Sequence, residues 1–188
     1  MRHHFPLALA TAVAILPLRS AVAQVAESGY VLPLTLAQKA ATSAIASCGR
    51  NGYPVSAVVV DASGVIKVEA KGDHSTIHTP KSAYRKAYTV VTFGPIFRFG
   101  ASSAFAALAA TNPNGAALAT LPNIAPLAGG VAIKVGDEIV AVLGVAGSPG
   151  GDKDEACAQA GVGSIQGDLA TLLPPADRAA IDQQPHLP

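Results

Sequence analysis

The sequence predicts an α+β layered domain in which helices cover a mainly antiparallel sheet. Two pairs of short apolar segments are each joined by a tight turn, which is the pattern of β-hairpins. Segments with helix start and stop signals precede, separate and follow these hairpins. Because strands joined as hairpins run antiparallel, we expect the order helix, hairpin, two helices, hairpin, helix.

The first half of the domain begins with a helix and a hairpin. The segment 35–38 (Thr-Leu-Ala-Gln) matches a capping box, so a helix is predicted to begin there and to end at Gly49. The Val-rich segments 54–61 and 65–70 lie on either side of turn residues. They predict the first hairpin.

Two helices follow a polar loop over 71–79. Thr79 supplies an N-cap hydroxyl before a proline, so the second helix is predicted to begin there and to end at the Gly-Pro pair 94–95. A third helix is expected over 102–110. Two prolines predict an irregular segment over 116–128.

The second hairpin and a last helix complete the domain. Strands 131–135 and 138–145 are joined by Gly-Asp, a common two-residue hairpin connection. The helix over 152–165 has acidic residues in its first turn, where the helix dipole favours them. We therefore place one domain at 35–170, between a leader at 24–34 and a C-terminal tail at 171–188.

Composition excludes several classes of protein. The chain has 188 residues, 50% of them apolar, with 13 basic and 12 acidic side chains. Its 13% charged fraction is about half the usual ~25%, which excludes a solvated disordered chain and argues against nucleic acid as a partner. Aromatic residues, at 5%, are too few for a base-stacking platform.

The N-terminus has the pattern of a secretory signal peptide over residues 1–23. A short basic start precedes an apolar run at 5–18, and Ala-Val-Ala at 21–23 is a small-x-small cleavage site before Gln24. The alternative is a membrane anchor, but the run is shorter than the ~20 residues that span a bilayer. We expect a periplasmic or secreted protein with no stable membrane anchor.

Two cysteines, Cys48 and Cys157, fall in predicted helices. In an oxidising compartment an even number of cysteines favours a disulfide. The alternative is two buried, unpaired thiols that pack as small apolar residues.

His74 and His78 are the histidines that are the clearest candidates for binding a ligand. On a helix their spacing of four would place both on one face, but the proline that follows indicates a loop. A neutral imidazole is a common axial ligand of haem iron. The alternative is a pair of exposed loop histidines without a ligand.

Other motifs assign no enzyme chemistry. The chain lacks a Gly-x-Ser-x-Gly elbow, and the glycine-rich segment 147–151 lacks the Lys-Ser/Thr ending of a phosphate-binding loop. Arg85 and Lys86 in the second helix are able to pair with an acidic ligand group, such as a propionate, or to form a solvated helix face. We expect a protein that is not an enzyme.

Three segments together resemble one known family. They are SCGRNGYPVSAVVVDASG at 47–64, HTPKSAYRKAYTVVTFG at 78–94 and GGVAIKVGDEIVAVLGVAGSPGGDKDEACAQAG at 129–161. In this order they are similar to the GlcG/HbpS-like haem-binding family, over residues 35 to about 170. The resemblance implies a profilin-like fold with a five-stranded antiparallel sheet, and a homo-oligomer.

The resemblance also implies haem as the ligand. With no Cys-x-x-Cys-His motif in the chain, the haem would be noncovalent and b-type. His78 is the best candidate iron ligand, basic groups would meet the propionates, and the tyrosines are alternative ligands, ring neighbours or half-buried helix anchors. The residues expected at the site are His74, His78, Tyr84, Arg85, Lys86 and Tyr88.

Two functions follow from this. The first is an exported haem-binding protein in haem transport or sensing, with a possible sensor or receptor partner. The alternative is a non-enzymatic accessory module that binds a small organic acid or a protein partner.

Overall fold

Four strands form one antiparallel sheet in the order β2-β1-β4-β3, in a computed structural model that describes residues 29–172. The elements in chain order are α1 (Leu34–Gly49), β1 (Ser56–Asp61), β2 (Ile66–Lys71), α2 (Thr79–Phe97), α3 (Ser102–Thr111), α4 (Gly115–Ala119), β3 (Gly130–Val135), β4 (Glu138–Ala146), α5 (Gly151–Gly163), α6 (Gln166–Leu169) and a 3-10 turn (Ala170–Leu172). The predicted α+β class and antiparallel pairing are confirmed. The expectation of five strands is wrong for this part of the chain, which has four.

Helices cover both faces of the sheet. Along β1, Val58 and Val60 pack beneath α2, whereas Ala57 and Val59 pack against α1 and α5. This alternation is the period of two that a strand buried on both faces requires. The core is therefore divided by the sheet into two apolar layers, which explains why β1 reads as a continuous Val-rich run.

Glycine allows α2 to lie close to the sheet. Gly130 of β3 and Gly144 of β4 are opposite one another in the strand register. A Cβ at Gly144 would overlap the carbonyl oxygen of Ala83, and a Cβ at Gly130 would overlap the carbonyl of Lys86. The helix backbone therefore rests directly on this glycine pair.

A disulfide joins the two helices on the other face. Cys48 of α1 and Cys157 of α5 have Cα atoms 5.5 Å apart and are separated by 109 residues. Both side chains are buried in the core cluster between α1, α5 and the sheet. The predicted bridge is confirmed, and the alternative of two free thiols is wrong.

Helix boundaries differ from the predicted ones for identifiable reasons. The α1 helix begins at Leu34, because the carbonyl of Pro33 accepts its first backbone hydrogen bonds and no side chain caps it. The predicted capping box at 35–38 therefore lies within the helix. In α2, His78 and not Thr79 occupies the N-cap position.

The α2 helix also continues past Pro95 to Phe97. Pro95 lacks a backbone N–H, but it stands only two residues before the end of the helix, so the loss of this donor affects only the last turn. Arg98 then ends the helix in the left-handed conformation at φ 58°. The segment predicted to be irregular contains the short helix α4. Leu32, assigned to the leader, is buried in the core.

The predicted signal peptide, residues 24–28 of the leader and residues 173–188 of the C-terminal tail lie outside the described residues. Within residues 29–172, no helix combines the length and apolar character that crossing a membrane requires.

Candidate functional site

A buried cluster of hydroxyl groups holds the histidine loop against the sheet. Ser56 of β1 contacts Ser75 at 3.1 Å and Thr79 at 2.7 Å through their side-chain oxygens. Ser75 in turn donates to the carbonyl of Gly72, and Thr79 to that of Thr76. The loop therefore has a defined path between β2 and α2, although its two histidines are exposed.

His78 stands at the start of α2 with its ring in solvent. Its Nδ1 lies 3.1 Å from the hydroxyl oxygen of Thr76. In the tautomer that donates from Nδ1 to this oxygen, Nε2 keeps its lone pair and faces outward. A hydrogen bond from the ring nitrogen that does not bind the metal fixes the ring, and it is typical of histidines that bind a metal.

His74 occupies the other end of the same loop. It is exposed, and its backbone is left-handed with φ 62°. Among the described residues its ring makes no hydrogen bond. The structure therefore supports His78 as the better oriented of the two imidazoles.

One face of α2 continues from His78 towards an extended segment of the chain. Because His78 has helical backbone angles, Arg85 lies on its face two turns further along. Arg85 donates to the carbonyl of Ile124, and Thr89, one turn later, accepts from the amide of Ala125 at 2.9 Å. The segment around 124–125 thus borders this face of the helix.

Exposed apolar and basic side chains occur at the start of α2 and just after the 124–125 segment. Ile77 is 94% exposed and Leu127 is 56% exposed. Lys81, three residues after His78, is exposed and has no ion-pair partner among the described residues. We call the set of Ile77, His78, Lys81, Arg85 and Leu127 the α2 surface. Sequence reasoning missed Lys81, whose spacing of three from His78 is the signal that reveals it.

Lys86 has a different position from the one expected. It is 4% exposed, and its Nζ lies 2.6 Å from Oδ2 of Asp154 and 3.1 Å from the carbonyl oxygen of Val145. The other carboxylate oxygen of Asp154 accepts from the amide of Ser148. Lys86 is therefore neither a propionate contact nor part of a solvated helix face, because its charge is neutralised inside the protein.

A second buried carboxylate extends this polar network. Glu155 is 9% exposed and accepts hydrogen bonds from the amide and the hydroxyl of Ser103, as well as from the amide of Gly129. It ties α5 to the start of α3 and to the approach to β3. The helix dipole alone explained the acidic residues in the first turn of α5 at the level of sequence. The contacts of Asp154 and Glu155 show that these two side chains also connect α5 to neighbouring elements.

Tyr84 and Tyr88 form a pair on α2, with ring centroids 5.5 Å apart. Both are half-buried, and Tyr88 rests against Gly64 at the tip of the first hairpin. Burial, and secondly the neighbouring Tyr88, raise the pKa of Tyr84 above its ordinary value of 10.0. A raised pKa disfavours the phenolate that would bind iron, so the structure favours the role of helix anchors.

An open groove lies beside the disulfide, away from the histidine loop in sequence. Its volume is about 270 Å³, and it is lined by Ser47, Asn51, Tyr53, Lys153, Ala156 and Cys157. The ammonium group of Lys153 lies 5.4 Å from the centre of the Tyr53 ring. The groove thus offers one cation, one amide and one aromatic face.

The fold and the loop define a layered α+β protein with an exposed imidazole beside a basic helix face. Comparison with known families gives a match to the family described as "Haem degrading protein HbpS-like" over residues 32–163. The chain belongs to the HbpS-like family. No curated protein sequence matches it significantly.

Solved structures agree with this assignment. A crystal structure of HbpS has 33% sequence identity and a TM-score of 0.67, and the match covers 78% of this chain and 99% of that one. A double mutant of Streptomyces reticuli HbpS has 34% identity and a TM-score of 0.66, with 81% and 98% of the two chains covered. A PduOC:heme complex, at 19% identity, TM-score 0.64 and coverage of 72% and 96%, shares the fold.

Proposed function

We propose that this protein is an exported haem-binding protein that holds noncovalent, b-type haem on the α2 surface. The observation that carries the proposal is the exposed His78 imidazole, oriented through Nδ1 by Thr76 at the start of a basic helix face. Membership of the HbpS-like family and the solved HbpS structures support haem as the ligand.

The side chains of the α2 surface match the chemistry of haem. Nε2 of His78 is a suitable axial ligand for iron. Lys81 and the guanidinium of Arg85 supply positive charge for the propionates, and Lys81 lies where the helix dipole disfavours a cation, so a bound anion would stabilise it. Ile77 and Leu127 offer apolar contact to the macrocycle.

When bound, haem would supply redox and ligand-binding chemistry, while this chain would provide an axial donor, charge neutralisation and an apolar surface. His74 is the second candidate ligand on the same loop. We assign Lys86 to the protein interior, because leaving Asp154 would uncover a buried carboxylate.

A haemin titration followed by absorbance tests this proposal. The unmodified protein is expected to saturate at one haem per chain with a sharpened Soret band. His78→Ala is expected to shift that band and weaken affinity, whereas His74→Ala, the matched control on the same loop, retains both. Identical, linear absorbance increases in all three proteins would reject the proposal.

We also propose that the protein is exported and that its role is the transport or sensing of haem. In this role it would act as a homo-oligomer together with a sensor or receptor partner. The signal-peptide pattern over 1–23 and the disulfide between Cys48 and Cys157 support export. N-terminal sequencing of the processed protein is expected to begin at Gln24. An unprocessed N-terminus on protein recovered from the cytoplasm would contradict export.

A second candidate is an accessory module that binds a small organic acid. The groove beside the disulfide favours it, because Lys153, Asn51 and Tyr53 present a cation, an amide and a ring around about 270 Å³. This volume suits a small molecule better than a macrocycle. Carboxylate binding that Lys153→Met abolishes, in a protein that fails to bind haemin, would favour this alternative.

A further inference from the structure

The sequence contains two Asn-Gly pairs, at 51–52 and at 114–115, and they lie in different surroundings. In such a pair the backbone nitrogen of glycine is able to attack the side-chain carbonyl carbon of asparagine, because glycine has no Cβ to hinder the approach. The attack is intramolecular and closes a five-membered ring, so it needs no enzyme. Its rate depends on how freely the two residues move.

The first pair, Asn51 and Gly52, lies in a turn just after α1. Both residues are exposed, and apart from its chain neighbours no atom lies within 4 Å of the position that a Cβ would take on Gly52. The side-chain amide of Asn51 donates to the carbonyl of Ser47 at 3.4 Å, which is longer than an ordinary hydrogen bond. The side chain that must react is therefore weakly held.

One backbone hydrogen bond holds the nitrogen that must attack. The amide of Gly52 donates to the carbonyl of Gly49 at 2.9 Å, and this bond has to open before the ring closes. The next residue, Tyr53, is half-buried, and its amide donates to the carbonyl of Cys48 at 3.1 Å. The movement is therefore confined to an exposed turn of two residues, and local opening of this kind costs far less free energy than global unfolding.

The second pair, Asn114 and Gly115, is fixed by packing. Gly115 is buried at the start of α4, and a Cβ on it would overlap the carbonyl oxygen of Ala109 in α3. Its amide donates to the carbonyl of Asn112 at 2.8 Å, while the carbonyl of Asn114 accepts from the amide of Leu118 at 3.0 Å. Moving this peptide group would displace α4 from α3, so the same chemistry is hindered here.

We propose that Asn51 is a site of spontaneous deamidation. Solvent hydroxide takes the proton of the Gly52 amide, and the nitrogen forms a bond to Cγ of Asn51. The bond from Cγ to Nδ2 breaks, and ammonia leaves with a proton from water, which regenerates hydroxide. Water then opens the resulting succinimide ring at either carbonyl and gives aspartate or isoaspartate. In total one water is consumed and one ammonia is released, without oxidation or reduction.

The product changes the charge of the groove beside the disulfide. Asn51 lines this groove together with Tyr53 and Lys153. Lys153 lies 5.4 Å from the centre of the Tyr53 ring, and neither Lys153 nor the exposed Arg50 has an ion-pair partner among residues 29–172. The new carboxylate would lie near these two cations, so it pairs with Lys153 across the groove and lowers the net charge there by one.

Peptide mapping by mass spectrometry, after incubation of the folded protein near neutral pH, tests the assignment. We expect Asn51 to deamidate at least roughly tenfold faster than Asn114, which is the matched control in the same chain. In urea, where neither turn is folded, the two pairs should react at similar rates. Equal rates in the folded protein, or a difference that persists in urea, would overturn the proposal.

A titration followed by NMR tests the pairing with Lys153. The carboxyl group that Asn51→Asp introduces should have a lower pKa than it has when Lys153→Met is added, whereas adding Lys39→Met, at the other end of α1, should leave that pKa unchanged. The same carboxyl pKa with and without Lys153 would contradict the pairing. The groove shares no residue with the α2 surface, so Asn51→Asp should bind haemin as the unmodified protein does, and a failure of the haem proposal would leave this one intact.

Discussion

Breaking the buried ion pair between Lys86 and Asp154 is expected to cost far more than breaking a surface pair. Their charged atoms are 2.6 Å apart, and the side chains are only 5% and 4% exposed. At an effective dielectric constant of about 20, the attraction is roughly 6 kcal/mol, against a desolvation cost of several kcal/mol for each ion. Lys86→Met leaves a buried carboxylate whose partner is the amide of Ser148, so we expect a loss of about 3–5 kcal/mol of unfolding free energy.

Urea denaturation followed by circular dichroism measures this loss, and the chain offers a matched control. Lys39 and Asp168 form an ion pair at 2.9 Å with side chains 50% and 49% exposed, so Lys39→Met should cost at most about 1 kcal/mol. Adding Asp154→Leu to Lys86→Met should recover more than half of the loss, because no buried charge remains. If Lys86→Met costs no more than Lys39→Met, the argument from burial is refuted.

Three further predictions concern the disulfide, the glycine contact and a tyrosine. Replacing Cys48 and Cys157 with alanine opens a loop of 109 residues and should lower the unfolding free energy by about 4–5 kcal/mol in the loop-entropy model, measured by denaturation; an unchanged midpoint would contradict this. Gly144→Ala places a methyl group against the backbone of α2 and should lower the unfolding free energy by about 1–3 kcal/mol or more. Gly163→Ala is the control, because open space surrounds this glycine, and it should change the unfolding free energy by less than about 0.5 kcal/mol. Equal melting temperatures of the two variants would refute the close approach of α2 to the sheet. Burial raises the pKa of Tyr84 above 10.0, so the folded protein loses the proton of the Tyr84 hydroxyl less readily than the unfolded chain does. The contribution of this pKa shift to the unfolding free energy is complete below pH 10.0 and is lost as the pH rises beyond it. Tyr84→Phe should therefore reduce the alkaline loss of stability, and an identical pH profile would count against the assignment.

The order of elements was predictable because its signals are local. Both hairpins carry apolar segments around turn residues, and Gly136 at the second turn has the positive φ of 60° that a tight hairpin needs. The bridge between Cys48 and Cys157 followed from their number and from the expected compartment. These features depend little on how the layers pack.

The features that were missed depend on packing between layers. Lys86 was expected to contact a propionate or to lie on a solvated helix face, but it lies three residues after buried Ala83 and four before buried Val90, a spacing that places it on the buried stripe of α2. Its partner Asp154 is 68 residues away, and no local pattern joins the two. The start of α1 was missed for a local reason, because the carbonyl of Pro33 accepts the first backbone hydrogen bonds where a hydroxyl cap was expected.

The histidine loop also combines a local sequence signal with a contact between residues that are distant in sequence. Its position before α2 was clear from the proline after Thr79, but the hydroxyl cluster that fixes it joins Ser56 of β1 to Ser75 across 19 residues. The hydrogen bond between His78 Nδ1 and the Thr76 hydroxyl, which orients the ring, depends on this path. Sequence identified the candidate ligand, and the fold supplies its orientation.

Rescue of His78→Ala by free imidazole tests the central claim, iron ligation by this side chain, most directly. We expect the variant with haemin to lose the axial-histidine signature in its absorbance and resonance Raman spectra, and added imidazole to restore it. His74→Ala should show the signature without imidazole. A His78→Ala complex that keeps the unmodified protein's spectrum, unaffected by imidazole, would contradict the account.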